Sequence, residues 1–137
     1  MKTFITFVFA LVMLTSCDVY MVEPRIDHRD AIVGYYDMEE YSETYHEYVY
    51  YDFNISKSRH SSREIFLDNF YASDLHVYAY VDNNHITIPF QIANGYEIEG
   101  HGTVRRGNEL QLYYTVSDIH HYSVIDICDS YAVRIHR

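Results

Sequence analysis

The chain has 137 residues, a formal net charge of −10 at pH 7, 16 tyrosines, no tryptophan and 2 cysteines. That length suits one domain able to bury most of its apolar surface. So acidic a surface excludes a nucleic-acid partner, because binding a phosphate backbone needs a basic face that releases counterions.

Met1-Lys2-Thr3 precede a mostly apolar run from Phe4 to Leu14, which ends in Leu14-Thr15-Ser16-Cys17. The run is too short to cross hydrocarbon about 30 Å thick, which takes roughly 20 residues. It suits the apolar core of a secretory signal behind a positive start, so residues 1–16 are read as an address rather than as part of the fold.

Leu14-Thr15-Ser16-Cys17 resembles the lipobox of bacterial lipoproteins. The resemblance implies cleavage before Cys17, a diacylglyceryl group on its thiol and further acyl chains such as palmitate at the new N-terminus. Several chains together anchor a protein effectively permanently. The implied location is the cell envelope, at the outer membrane, with its periplasmic and cell-surface faces both open. An ordinary secretory signal with a chance cysteine is the alternative. With Cys17 acylated only Cys128 remains, so no disulfide forms within the mature chain. Cys128 lies in a stretch with the apolar Ile125 and Ile127 and reads as a buried core thiol.

Residues 17–29 are polar, include Pro24 and show no periodicity, so they read as the lipidated cysteine and its tether, and the domain is placed at 30–137. Asp30 to Val33 is expected to form a helical turn capped by Asp30 and closed by Gly34. Beyond it, period-two alternation gives eight strands near 34–42, 47–57, 63–70, 75–81, 85–92, 96–105, 109–117 and 124–135.

Alternation predicts inward Val49, Tyr51, Phe53 and Ile55 in the second strand, and Leu75, Val77, Ala79 and Val81 in the fourth. It predicts Ile86, Ile88, Phe90 and Ile92 in the fifth, and Leu110, Leu112, Tyr114 and Val116 in the seventh. Asp82-Asn83-Asn84, Asn94-Gly95 and Gly107-Asn108 suit tight hairpins, so consecutive strands are antiparallel neighbours in a meander. Gly100 and Gly102 on one face suggest the sharp coiling of a barrel, and Pro89 marks a bulge or seam.

Ile32-Val33-Gly34-Tyr35-Tyr36, Asn84 to Pro89, and Gly100-His101-Gly102-Thr103 through Leu112 to Val116 together resemble the small lipocalin-like (calycin-like) lipoproteins of Bacteroidetes, over nearly the whole mature chain. The resemblance implies an all-β, eight-stranded antiparallel meander closed into a small barrel, with a two-layer β-sandwich as the alternative. It carries no catalytic signature. Tyr36 stands where lipocalins have the tryptophan of Gly-x-Trp, which speaks against a true lipocalin cavity.

Several side chains invite chemistry. His120-His121 with Asp118 and Asp126 could approach a metal only if their loop bends. Glu97, Glu99 and His101 share one face at i, i+2, i+4, a row able to hold a cation or do acid–base work, and more simply a solvated face. No nucleophile elbow and no phosphate loop occur. Tyr35, Tyr36, Tyr48, Tyr50, Tyr78 and Tyr80 are the candidate ligand-binding residues, since each ring offers large area and a polar tip at low entropic cost; Tyr113 is a further outward tyrosine. The expectation is a non-enzymatic envelope lipoprotein binding a small ligand, glycan, lipid or envelope protein through a tyrosine-rich surface or barrel mouth, with no cofactor and no metal. A structural or assembly subunit comes second, and a hydrolase built on Glu97, Glu99 and His101 last.

Overall fold

The computed structural model describes residues 26–106, 108–121 and 124–135. The segment read as a signal, the expected lipobox with Cys17 and most of the residues read as a tether lie outside the described residues.

Eight strands follow one another: β1 (Gly34–Ser42), β2 (Glu47–Lys57), β3 (Glu64–Phe70), β4 (Leu75–Asp82), β5 (His85–Ala93), β6 (Tyr96–Arg105), β7 (Glu109–Asp118) and β8 (Ile125–Ile135). Each pairs antiparallel with the next, and β8 returns to β1 from Tyr35↔Ile135 to Ser42↔Cys128, closing the barrel. The expected meander barrel is the fold, and closure rules out the two-layer sandwich. The turn residues act as their chemistry requires: Asn83 (φ 52°), Asn94 (φ 46°) with Gly95 (φ 86°), and Asn108 (φ 79°) all take left-handed backbone.

A short 3₁₀ helix (His28–Ala31) plugs the end where the chain enters. Its cap is Asp27, not the expected Asp30, and the Asp27 carboxylate accepts from the Arg29 N–H at 3.0 Å. Buried Arg29 then donates through Nη1 to the carbonyls of Ser58 (2.9 Å), Ser61 (2.6 Å) and Glu64 (3.1 Å), tying the plug to the β2–β3 connection. The last residues of the segment read as tether therefore belong to the barrel. Above the plug, Ile32, Tyr36, Phe53, Ile55, Ile65 and Leu67 fill the lower interior, and the Tyr36 hydroxyl donates to the Ile32 carbonyl at 2.7 Å.

The inward assignments for β4 and β7 hold at every position, and Phe53, Ile55, Ile86 and Ile88 are core as well. Tyr51 packs on the core partly buried, while Val49, near the open end of β2, is only half-buried. Phe90 and Ile92 are corrections: each is 60% exposed. The β5–β6 register shifts between Ile88 and Gln91, so the bulge at Pro89 reverses the phase of the strand and turns Gln91 and Ala93 inward instead. Gly100 and Gly102 are needed for the coil, because a Cβ at Gly100 would meet the Tyr113 carbonyl and the Cα of Tyr114 at 2.8 Å.

Candidate functional site

The hairpin loops β1–β2, β3–β4, β5–β6 and β7–β8 gather at the end opposite the plug. The interior is polar there, for a reason of strand phase. In β1 the alternation that buries Tyr36 and Met38 also buries Glu40 and Ser42. In β8 it buries Asp126, Cys128, Ser130 and Ala132, and leaves the apolar Ile125 and Ile127 outside.

Two carboxylates thus enter the barrel. Glu40 is 2% exposed and accepts from the hydroxyl of Tyr51 at 2.6 Å and from that of Tyr114. Burial pushes its pKa up, against the pull of the two tyrosine hydrogen bonds. Asp126 is 5% exposed; one oxygen accepts from the Ser42 hydroxyl and the other from Tyr71 at 2.7 Å. Burial raises the Tyr71 phenol well above its ordinary range, and the bond to Asp126 adds to the shift. Burial likewise pushes the Cys128 thiol far up, and the residue is a buried thiol in the wall, as expected. Among the described residues neither carboxylate has a cationic side chain in ion-pair contact.

Above Asp126 opens a cavity of about 300 Å³ lined by Tyr45, Tyr71, Tyr96, Val116, Asp118, His121, Val124 and Asp126. Tyr71 and Tyr96 meet edge to face with ring centroids 6.1 Å apart. At the rim, the backbone N–H of His120 and the His121 ring hold the Asp118 carboxyl below its usual range. His120 and His121 serve this turn, and no metal-ligating cluster occurs among the described residues.

The tyrosines singled out from sequence do not form one site. Tyr36 is core at the plugged end and Tyr35 lies exposed beside it. Tyr48 and Tyr50 are exposed on β2, where Tyr48 packs on Tyr41 with centroids 4.8 Å apart. Tyr78 and Tyr80 form a separate pair on β4, 5.9 Å apart. The mouth tyrosines Tyr45, Tyr71 and Tyr96 were missed. They stand in or beside turns, where strand alternation gives no facing.

A second concavity, of about 540 Å³, lies outside the barrel across β5 to β8, with Phe90, Glu99, His101, Tyr113 and Ile127 on its walls. Glu97, Glu99 and His101 do share the outer face of β6 here, and the His101 ring stacks on Tyr113 with centroids 5.7 Å apart. The exposed Phe90, Ile92, Ile125 and Ile127 flank that acidic row on both sides.

No protein-family model matches the chain, and no curated protein matches it at significance. Among solved structures, a redesigned beta barrel superimposes with a TM-score of 0.58 at 7% sequence identity, covering 83% of this chain and 100% of that one. At that identity the likeness is one of fold, a small closed barrel.

Proposed function

We propose that this chain is a non-enzymatic lipoprotein of the cell envelope, anchored through acylated Cys17, whose barrel binds a small ligand at its open mouth. The observation that carries the reading is the asymmetry of the barrel. One end is sealed by a 3₁₀ helix pinned through Arg29, and the other opens on a cavity of about 300 Å³ with a buried, fixed carboxylate at its floor. Ligand pockets characteristically combine such walls with a few placed polar groups.

Two experiments test it. Globomycin treatment or Cys17→Ser should block maturation and lipid labelling; unchanged processing rejects the anchor. A screen of small ligands by NMR should shift the signals of Tyr71, Tyr96 and Val116 saturably; shifts confined to the outer wall, or none, reject the mouth.

The exposed Phe90, Ile92, Ile125 and Ile127 favour a second reading, an accessory subunit that docks a protein partner through its outer wall. Crosslinking in cells would then give one dominant partner, lost in a Phe90→Ser/Ile127→Ser variant. The outward tyrosine pair Tyr48 and Tyr50 offers a glycan-stacking face on the same reasoning.

A further inference from the structure

We propose that the mouth is a site for a small organic ammonium ion, a reading that rests on the mouth being the ligand site. Three tyrosines, Tyr45, Tyr71 and Tyr96, and two carboxylates, Asp118 and Asp126, line one cavity together with His121, whose ring sits on Asp118 and leaves Asp126 to the ligand, and among the described residues no lysine or arginine lines it. Each component answers a different part of an alkylammonium.

Aromatic faces attract a cation through the ring quadrupole and at the same time accept its alkyl arms. A bare metal ion has no such arms to offer them. Asp126 supplies the counter-charge from the floor. Its two oxygens are held by Ser42 and Tyr71, so it neither swings to solvent nor needs to reorganise when a cation arrives. A buried carboxylate without a cationic neighbour pays for desolvation, and a bound ammonium returns that cost as Coulomb attraction in a low dielectric. The Tyr71 hydroxyl is spent on Asp126 and leaves its ring as the part offered to the ligand. The volume, about 300 Å³, takes one compact headgroup. The net charge of −10 draws cations toward the protein and holds anions away.

The discriminating pair of probes is choline and its neutral isostere 3,3-dimethylbutan-1-ol, titrated into the purified full chain by NMR. Choline should bind at least tenfold more tightly than the alcohol. Asp126→Asn should erase that preference. Because Asp126 is buried and bonded, Tyr45→Ala on the exposed rim gives an independent reading: a loss of at least fivefold in choline affinity with an unchanged melting curve. Phosphatidylcholine vesicles offered in parallel test the same group on a lipid. Because an acylated Cys17 enters a bilayer by itself, only vesicle binding that Tyr45→Ala weakens supports the site, and vesicle binding unchanged by Tyr45→Ala assigns it to the anchor and counts against the mouth. If the alcohol binds as well as choline, the ammonium inference fails while the mouth remains a ligand site. If neither probe, nor any ligand of the wider screen, moves the mouth signals, both fail.

Discussion

The side-chain amide of Gln91 grips the backbone of Tyr78 by both of its groups: Oε1 accepts from the Tyr78 N–H at 3.0 Å and Nε2 donates to the Tyr78 carbonyl at 2.8 Å. The β4–β5 ladder runs only from Asp82↔His85 to Tyr80↔Thr87. Beyond it the Pro89 bulge carries β5 away, and the Gln91 amide takes the place of the missing peptide. Pro89 lacks an N–H and could not have made the bond itself.

Gln91→Ala should therefore open this seam. It strands one donor and one acceptor of a partly buried strand, a loss of about 1–3 kcal/mol. Urea denaturation measures the loss, and hydrogen exchange at the Tyr78 amide should accelerate selectively. Unchanged exchange there would show that the ladder closes without the side chain.

The same bulge explains what the sequence could and could not reveal. Strand number and order follow from alternation and turn chemistry, both local, so they were legible. Closure was settled only by the β1–β8 pairing, because a two-layer sandwich satisfies the same local pattern. Facing within β5 was legible only up to Pro89, because one extra residue inverts the phase and no local signal says where the pleat resumes. The polar mouth was hidden for a related reason. In β8 the apolar Ile125 and Ile127 face out while Asp126 and Ser130 face in, and hydrophobicity alone reads such a strand backwards. Only the register with β7, Val116↔Asp126 and Tyr114↔Cys128, reveals it.

Arg29→Lys should behave almost as a deletion at the plugged end. One guanidinium serves three carbonyls and, through Nε and Nη2, both oxygens of Asp27. An ammonium cannot reproduce that fork. The expected loss is about 2–4 kcal/mol, read as a lowered denaturation midpoint, and a midpoint within error of the parent would mean that the carbonyls find other donors.

Gly100→Ala tests how tightly β6 coils on β7. The added methyl would face backbone, the Tyr113 carbonyl and Tyr114 Cα, rather than the tip of a flexible side chain. Overpacking of this kind costs about 1–3 kcal/mol, and Gly102→Ala, which meets Leu112 and the Gln111 carbonyl, should be comparably costly. A variant that melts with the parent would place the close approach of the two strands elsewhere.

The two ends of the barrel should respond to acid in opposite senses. Arg29 and Lys57 hold the Asp27 carboxyl well below the usual carboxylate range, so its contribution is complete above about pH 4 and is lost as pH falls through the lowered folded value. Burial does the reverse to Glu40. Its folded pKa is raised, the folded state binds the proton more readily than the unfolded one, and its contribution is complete below about pH 4 and fades as pH rises through the raised value. Glu40→Gln removes only this second slope, keeping an acceptor for Tyr51 or Tyr114. Thermal melts from acid to neutral pH should then show a parent that loses stability on the alkaline side of the carboxylate range and a variant that does not. An identical decline in both proteins would assign the slope to another group and leave Glu40 charged in the folded barrel.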